Sequence, residues 1–236
     1  MTASGAASLA DVLGRTRALL LDFDGPVCRL FAGYRAPTIA EELRLLVAGR
    51  LDAIPASMVD AGPVQVLRLS ADLHDRDLAQ AVADALRNAE VKAAASAAPT
   101  PGLRDVLQAL HDSGRRVAIV SNNSIEAVQD YLGRHELSDT FDQIVARYDG
   151  MDPHRLKPDD HLVRLALDRL DISVSTTTFL GDSPSDIQAG RAAGLSTIGY
   201  ASRPPKRQLL IDAGVDAIVD TMTELAEALR SAGPST

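Results

Sequence analysis

The feature that most constrains the fold is a set of three short apolar runs, each of which stops abruptly at polar residues. The runs cover residues 18–21, 116–120 and 177–180. Short apolar runs bounded by turn-forming residues are typical of strands that are buried on both faces of a sheet. Segments with helical spacing of apolar residues lie between them. We therefore predict an α/β fold with a doubly wound, Rossmann-like parallel sheet covered by helices on both faces.

Weaker segments complete the predicted sheet. Residues 143–146, Ser196–Tyr200 and Ala217–Val219 are further candidate strands. A helix is predicted over residues 187–193, with Ser185 as its N-cap, because a serine hydroxyl often accepts a backbone amide hydrogen bond at that position.

A long segment between the first two strands predicts a second structural unit. Residues 22–115 are far more than one crossover connection needs. Apolar residues recur at helical spacing within this segment, and residues 93–101 are rich in Ala, Ser and Pro, as in a hinge. We predict a core domain formed by residues 1–30 and 98–236, with a small helical cap, residues 31–97, inserted after the first strand.

The composition excludes several classes of protein. A net charge of -8 and a pI near 5.1 disfavour a general binder of nucleic acids or anionic membranes, because phosphate groups repel such a field. The one cysteine, Cys28, excludes a disulfide within the chain and a zinc site built from several cysteines. We find neither an apolar run of about 18 residues nor a secretory signal pattern. We expect a cytoplasmic monomer or homodimer in which Cys28 is a small buried residue.

Four carboxylates follow the predicted strands. Asp22 and Asp24 come directly after the first run, and Asp182 and Asp186 come after the third. Because open α/β sheets bind ligands outside the carboxyl ends of their strands, we expect these side chains to share one crevice. Four converging carboxylates repel one another unless a cation neutralises them, and ligands that are all oxygen suit a hard ion. The sequence therefore predicts a Mg²⁺ site.

Three other polar residues point to a phosphate ligand. Ser121 and Asn122 follow the second run, and Lys157 lies between a predicted strand and a predicted helix. A lysine beside a hydroxyl and a helix N-terminus suits a phosphate dianion. A carboxylate near phosphorus is ionised at pH 7 and can attack it to form an aspartyl-phosphate. A second carboxylate would then exchange a proton with the leaving oxygen and with water.

Together these motifs resemble the haloacid dehalogenase-like (HAD) hydrolases, in their helical-cap (C1) phosphatase branch. The resemblance rests on four motifs in the family's order: Asp22-Phe23-Asp24-Gly25, Ser121, Lys157-Pro158 and Gly181-Asp182-Ser183-Pro184-Ser185-Asp186. It covers roughly residues 18–30 and 101–219 of the predicted core, and the predicted insert stands where the family has its cap. The resemblance implies a Mg²⁺-dependent hydrolase of small-molecule phosphate monoesters.

The resemblance also implies a role for each matching residue. Asp22 would be the nucleophile, Asp24 the general acid and base, and Lys157 the bridge between phosphate and nucleophile. Substrate would be bound by Phe23, Ser121, Asn122 and Lys157, and the metal by Asp22, Asp24 (through its backbone carbonyl), Asp182 and Asp186.

One departure from the family pattern keeps alternatives open. Pro26 stands where the family usually has threonine, which removes an amide donor and a hydroxyl. A phosphomutase of the β-phosphoglucomutase type uses the same residues but returns the phosphoryl group to an intermediate. A catalytically silent binding module would also keep the pocket. A 2-haloacid dehalogenase needs no metal and lacks the Asp24-type acid, so it is disfavoured.

We expect substrate specificity to depend on the predicted insert, residues 31–97. Arg29, Arg35, Arg44 and Arg68 lie in or near it, either as solvated surface residues or as contacts to an anionic substrate. A cap excludes macromolecules and bulk water from a site. We therefore expect a small phosphorylated metabolite, such as a sugar phosphate or phosphoglycolate, as the substrate.

Overall fold

The computed structural model describes residues 8–233, and within them six strands form one parallel sheet. The strand order is β3-β2-β1-β4-β5-β6. The strands are Ala18–Leu21 (β1), Arg116–Ser124 (β2), Gln143–Arg147 (β3), Thr177–Gly181 (β4), Ser196–Tyr200 (β5) and Ala217–Val219 (β6). The order reverses between β1 and β4, and such a switch point opens a crevice at the carboxyl ends of the strands. The predicted α/β fold is confirmed.

The helices of the described residues cover both faces of this sheet or pack on helices that do so. They are Leu9–Arg15 (α1), Ala36–Leu51 (α2), Pro63–Ala71 (α3), Arg76–Ala94 (α4), Leu103–Asp112 (α5), Ile125–Arg134 (α6), His161–Leu170 (α7), Pro184–Ala192 (α8), Pro204–Asp212 (α9) and Met222–Ser231 (α10). Their apolar faces form two large clusters with the sheet between them.

The central strand β1 explains why there are two clusters. Its four residues are fully buried. Side chains alternate between the faces of a sheet, so Leu19 and Leu21 join one cluster while Ala18 and Leu20 join the other. Leu21 pairs with Ile119 of β2 on one side and with Leu180 of β4 on the other. Strands β1 and β4 therefore end side by side, next to Ser121 and Asn122 of β2, where the sequence places its polar residues.

Two local predictions differ from the structure. Strand β2 continues beyond residue 120 to Ser124, with a shift in its pairing to β3 between Ser121 and Ser124. The assignment of Ser185 as an N-cap is wrong, because helix α8 begins at Pro184 and Ser183 is its N-cap. A proline is well suited to the first helical position, and the Asp186 side chain accepts hydrogen bonds from the Ser183 backbone amide (3.1 Å) and hydroxyl (2.6 Å).

The predicted insert, residues 31–97, is helical and contains α2, α3 and α4. Helix α4 extends into the predicted hinge because Ala93 and Ala94 are fully buried in the core. The helix packs against α6 and β2. The division of the chain into a core domain and a cap domain stays a prediction.

Within residues 8–233, no helix is long and apolar enough to cross a membrane. The expected absence of a secretory signal concerns in part residues 1–7, which lie outside the described range.

Candidate active site

Asp22 lies directly at the end of the central strand. Its backbone amide donates a hydrogen bond to the Leu180 carbonyl (2.9 Å), which ties the residue to β4. Phe23, the next residue, is fully buried and packs edge-on against Tyr131, with 5.2 Å between ring centroids. Any contact between Phe23 and a substrate would therefore be made by its backbone.

Lys157 links the end of β1 to the first turn of α8 through its ammonium group. Its Nζ lies 2.6 Å from Asp22 Oδ1 and 2.7 Å from Asp186 Oδ1, and it donates to the Val120 carbonyl at 2.9 Å. These three acceptors use its three donors. Burial alone would lower the pKa of Lys157, but the carboxylates of Asp186 and Asp22 outweigh it and raise that pKa. The ammonium group is therefore charged, although the residue is 2% exposed.

Three carboxylates converge at the same place. One oxygen each from Asp22, Asp182 and Asp186 lies within 4.8 Å of the other two. Burial, and then repulsion by Asp186, raises the pKa of Asp22 well above its usual value, and burial raises the pKa of Asp182. Lys157 neutralises part of this charge, and Lys206 forms an ion pair with Asp182. A cluster of half-buried and buried oxygen ligands with surplus negative charge fits a hard divalent cation.

Glycines allow the carboxylates to approach so closely. A Cβ atom at Gly181 would lie 2.2 Å from the Asp186 Cβ, and one at Gly25 would lie 2.3 Å from Asp182 Oδ2. Gly25 also has φ +120°, a conformation that other residues rarely adopt. A side chain at either position would displace an aspartate of the cluster.

Asp24 is not one of the three clustered carboxylates. Its Oδ1 accepts a hydrogen bond from the Leu30 amide (2.9 Å), which closes the turn after β1. Burial, and then the charge of Asp182, raises the pKa of Asp24 to about 7. A carboxyl group with a pKa near neutrality can both give and take a proton at physiological pH, as a general acid and base must.

The contacts that hold Asp22 do not involve Pro26. The turn around it is closed by the Gly25 amide, which donates to the Cys28 carbonyl (2.7 Å). The Thr100 hydroxyl donates to the Gly25 carbonyl at 2.6 Å. Asp22 is held independently by β4 and Lys157, so the missing amide of Pro26 leaves its position fixed. Cys28 is buried, as predicted.

Ser121 and Asn122 lie beside Lys157 at the end of β2. The two amide atoms of Asn122 bond to the Lys157 backbone: its Oδ1 accepts from the amide (2.8 Å) and its Nδ2 donates to the carbonyl (3.0 Å). The buried Ser121 hydroxyl donates to Asn123 Oδ1 (3.0 Å) and accepts from the Asn123 amide (3.1 Å). In this structure Asn122 therefore positions the lysine, and phosphate binding by Ser121 and Asn122 stays a prediction.

Sequence reasoning missed a buried ion pair behind this segment. Glu90 of α4 is fully buried and pairs with Arg147 at the end of β3. Glu90 also accepts hydrogen bonds from the Ser124 amide (2.9 Å) and the Asn123 Nδ2 (3.2 Å), and Arg147 donates to the Asn122 carbonyl (3.1 Å). The pair thus holds the segment that carries Ser121 and Asn122.

Arg68 has a similar supporting position on the other side of Lys157. From α3, its guanidinium donates to the carbonyls of Leu156 (2.9 Å), Lys157 (2.6 Å) and Pro153 (3.2 Å). It is half-buried and bound to backbone, so it is neither a solvated surface residue nor free to meet a substrate.

Removing the Glu90 carboxylate is expected to destabilise the protein strongly. Glu90→Ala leaves the Arg147 guanidinium buried without a counter-charge, which costs about 3–5 kcal/mol. Urea denaturation of the variant should show this loss in the free energy of unfolding. The control is Glu41→Ala, at an exposed position of α2, for which a change within about 0.5 kcal/mol is expected. Equal stability of the two variants would show that the buried pair does not secure the fold.

The arrangement defines a class of protein: an α/β enzyme fold with acidic side chains and one buried lysine at the carboxyl end of its central strands. The model of the family described as haloacid dehalogenase-like hydrolase matches residues 64–200, more than half of the chain. The chain belongs to this family. The matched residues begin after β1, so Asp22 and Asp24 lie outside them.

Curated relatives share part of the chain. A phosphoglycolate phosphatase of Aliivibrio fischeri is 29% identical over 136 residues, which cover 56% of this chain and 57% of that protein. A plasmid-encoded phosphoglycolate phosphatase of Cupriavidus necator is 32% identical over 136 residues, 56% of each chain. The matches span only about half the length of these relatives.

Solved structures show the same fold over nearly the whole chain. CbbY from Rhodobacter sphaeroides, in complex with phosphate, has a TM-score of 0.65 at 22% identity and covers 91% of this chain and 99% of that one. A hydrolase from Pseudomonas syringae has a TM-score of 0.69 at 18% identity, with 92% and 100% covered. At these identities the likeness establishes the fold.

Proposed function

We propose that the protein hydrolyses small-molecule phosphate monoesters, with Mg²⁺ as cofactor and a phosphorylated Asp22 as intermediate. The observation that carries the proposal is the position of the Asp22 carboxylate. It lies at the end of the central strand, 2.6 Å from the Lys157 ammonium and within 4.8 Å of carboxylate oxygens of Asp182 and Asp186. A carboxylate suited to act as the nucleophile, an ammonium group and carboxylates suited to bind a metal thus lie within one crevice.

Each step of the reaction has a residue to perform it. An Asp22 oxygen attacks phosphorus while the ester bond breaks, and Asp24 gives its proton to the leaving alcohol oxygen. Water then attacks the phosphorus of the aspartyl-phosphate and loses a proton to Asp24, which releases inorganic phosphate and the Asp22 carboxylate. Lys157 offsets negative charge on the nucleophile and the transferred group throughout.

Mg²⁺ held by Asp22, Asp182, Asp186 and the Asp24 carbonyl would add positive charge beside the phosphoryl oxygens. Lys157 and Lys206 together still leave the three carboxylates with surplus negative charge, which would repel a phosphate dianion. The proposed metal requirement follows from this balance of charges.

The nature of the substrate is supported by the curated relatives and by the position of the insert. Relatives near 30% identity are phosphoglycolate phosphatases, which are named for a small phosphorylated acid. Through Arg68 and Glu90, the helices of the insert contact the loop that holds Lys157 and the last residues of β2, the strand that carries Ser121. A cap in that place restricts the substrate to small metabolites.

Phosphate release tests the proposal directly. We expect the protein to release phosphate from p-nitrophenyl phosphate and from a panel of phosphoglycolate and sugar phosphates in the presence of Mg²⁺. EDTA should lower the rate by at least about 100-fold. An isomerised sugar phosphate without net phosphate release would instead indicate a phosphomutase, and binding of Mg²⁺ with no turnover of any substrate would indicate a silent module.

A further inference from the structure

A cavity of about 510 Å³ opens directly beside the proposed catalytic residues. One part of its lining consists of Asp24 and Asp182. The remainder includes Arg29, Arg203, Lys206 and the buried Tyr200. The cavity therefore adjoins Asp24, the proposed proton donor. The leaving group of a phosphate ester must lie next to this residue to receive its proton.

The cationic lining of this cavity is unusual for a chain with a net charge of -8. Lys206 is engaged by Asp182. Across residues 8–233, neither Arg29 nor Arg203 has an ion pair or a side-chain hydrogen bond, whereas the neighbouring Arg207 pairs with Asp220 (2.7 Å). Two guanidinium groups without a side-chain partner among the described residues thus line a space next to Asp24 and Asp182.

Both arginines come from segments with defined positions. Arg29 belongs to the turn that Asp24 closes by accepting the Leu30 amide hydrogen bond. Arg203 is the N-cap residue of α9, shortly after β5. The two segments are far apart in sequence, and the fold brings them together at one cavity.

We propose that this cavity is a subsite for a second acidic group of the substrate, a carboxylate or a second phosphate. The inference rests on the proposed function and specifies its substrate as a doubly anionic phosphate ester. A guanidinium group binds carboxylates and phosphates through paired hydrogen bonds. A neutral leaving group would leave both arginines without an anionic partner and would gain nothing from them.

Binding of non-hydrolysable phosphonates tests this proposal without turnover. ω-Phosphonocarboxylates, from phosphonoacetate to 4-phosphonobutyrate, carry both acidic groups at graded distances, and alkylphosphonates of equal length lack the carboxylate. Calorimetry in Mg²⁺ gives the affinity ratio of each matched pair. We expect the best wild-type ratio to be at least about tenfold in favour of the carboxylate, since charge-assisted hydrogen bonds are strong. The double variant Arg29→Gln/Arg203→Gln should reduce that ratio to about two or less.

A matched control separates the subsite from a general effect of charge. Arg207→Gln removes one positive charge from the same helix as Lys206, but Arg207 does not line the cavity. This variant should keep the wild-type ratio. Equal binding of carboxylates and alkylphosphonates to the wild type, or an unchanged ratio in the double variant, would overturn the subsite while leaving the proposed phosphatase intact. Failure of every phosphonate to bind would overturn both the subsite and the proposed phosphatase function.

Discussion

Asp22→Asn is expected to abolish phosphate release, with kcat lowered by roughly 10⁴-fold or more. The amide nitrogen and neutral oxygen of asparagine cannot attack phosphorus, so the aspartyl-phosphate cannot form. The side chain keeps its size, and Lys157 keeps its contacts with Asp186 (2.7 Å) and the Val120 carbonyl (2.9 Å). The fold should therefore persist. Steady-state phosphate release in Mg²⁺, measured for both proteins at equal concentration, gives the rate ratio.

Two controls make this loss interpretable. Thermal unfolding and circular dichroism should show that Asp22→Asn is folded. Asp139→Asn, at an exposed position of a loop, makes the same chemical change away from the site and should keep the wild-type rate. Undiminished phosphate release by a folded Asp22→Asn protein would refute the assignment of the nucleophile.

Lys157→Ala is expected to lower both stability and activity. It removes the one cation that contacts Asp22 and Asp186 within the described residues, and so leaves two buried carboxylates unpaired. Breaking a buried ion pair by removing one partner costs about 3–5 kcal/mol. Loss of a charge that stabilises the transition state lowers kcat by about 10²–10³-fold. Urea denaturation gives the first effect and phosphate release the second.

Added Mg²⁺ separates these two effects. The cation should recover part of the lost stability, because binding to the native state alone stabilises it. The rate should stay low, because the ammonium group is still missing. Lys92→Ala removes an exposed lysine that lies over the Tyr34 ring and should change neither quantity by a comparable amount. A Lys157→Ala protein with wild-type stability and rate would contradict the role given to this residue.

The sequence predicted those parts of the fold that depend on local patterns. Ser196–Tyr200 and Ala217–Val219 are strands with the predicted bounds, because short apolar runs between turn residues have few other structures open to them. The N-cap of α8 was misplaced by two residues, at Ser185 instead of Ser183. Both residues are serines, and only the proline position and the reach of Asp186 distinguish them.

The candidate site was also predictable where it depends on strand ends. Asp22, Asp182 and Asp186 meet because parallel strands place their carboxyl ends at one edge. Lys157 was found because lysines are few and this one precedes a helix. That context predicted the position of Lys157 in the site, but it did not predict the contacts of Lys157 with Asp22 and Asp186.

The residues that support the site could not be predicted in this way. Glu90 and Arg147 lie 57 positions apart, and Arg68 and Lys157 lie 89 apart. Buried charge pairs between a helix and a strand have no periodic pattern, and their sequences resemble those of solvated helix surfaces. Only the tertiary structure reveals that Glu90 and Arg147 are buried partners and that Arg68 bonds to the backbone at Lys157.

Trapping the covalent intermediate tests the central claim most directly. The wild type would be mixed with a turned-over substrate and Mg²⁺, quenched in acid, and treated with borohydride, which reduces an aspartyl-phosphate to homoserine. Peptide mapping by mass spectrometry then locates the modified residue. We expect homoserine at position 22, dependent on substrate and Mg²⁺. Homoserine at another aspartate, with position 22 unmodified, would contradict it.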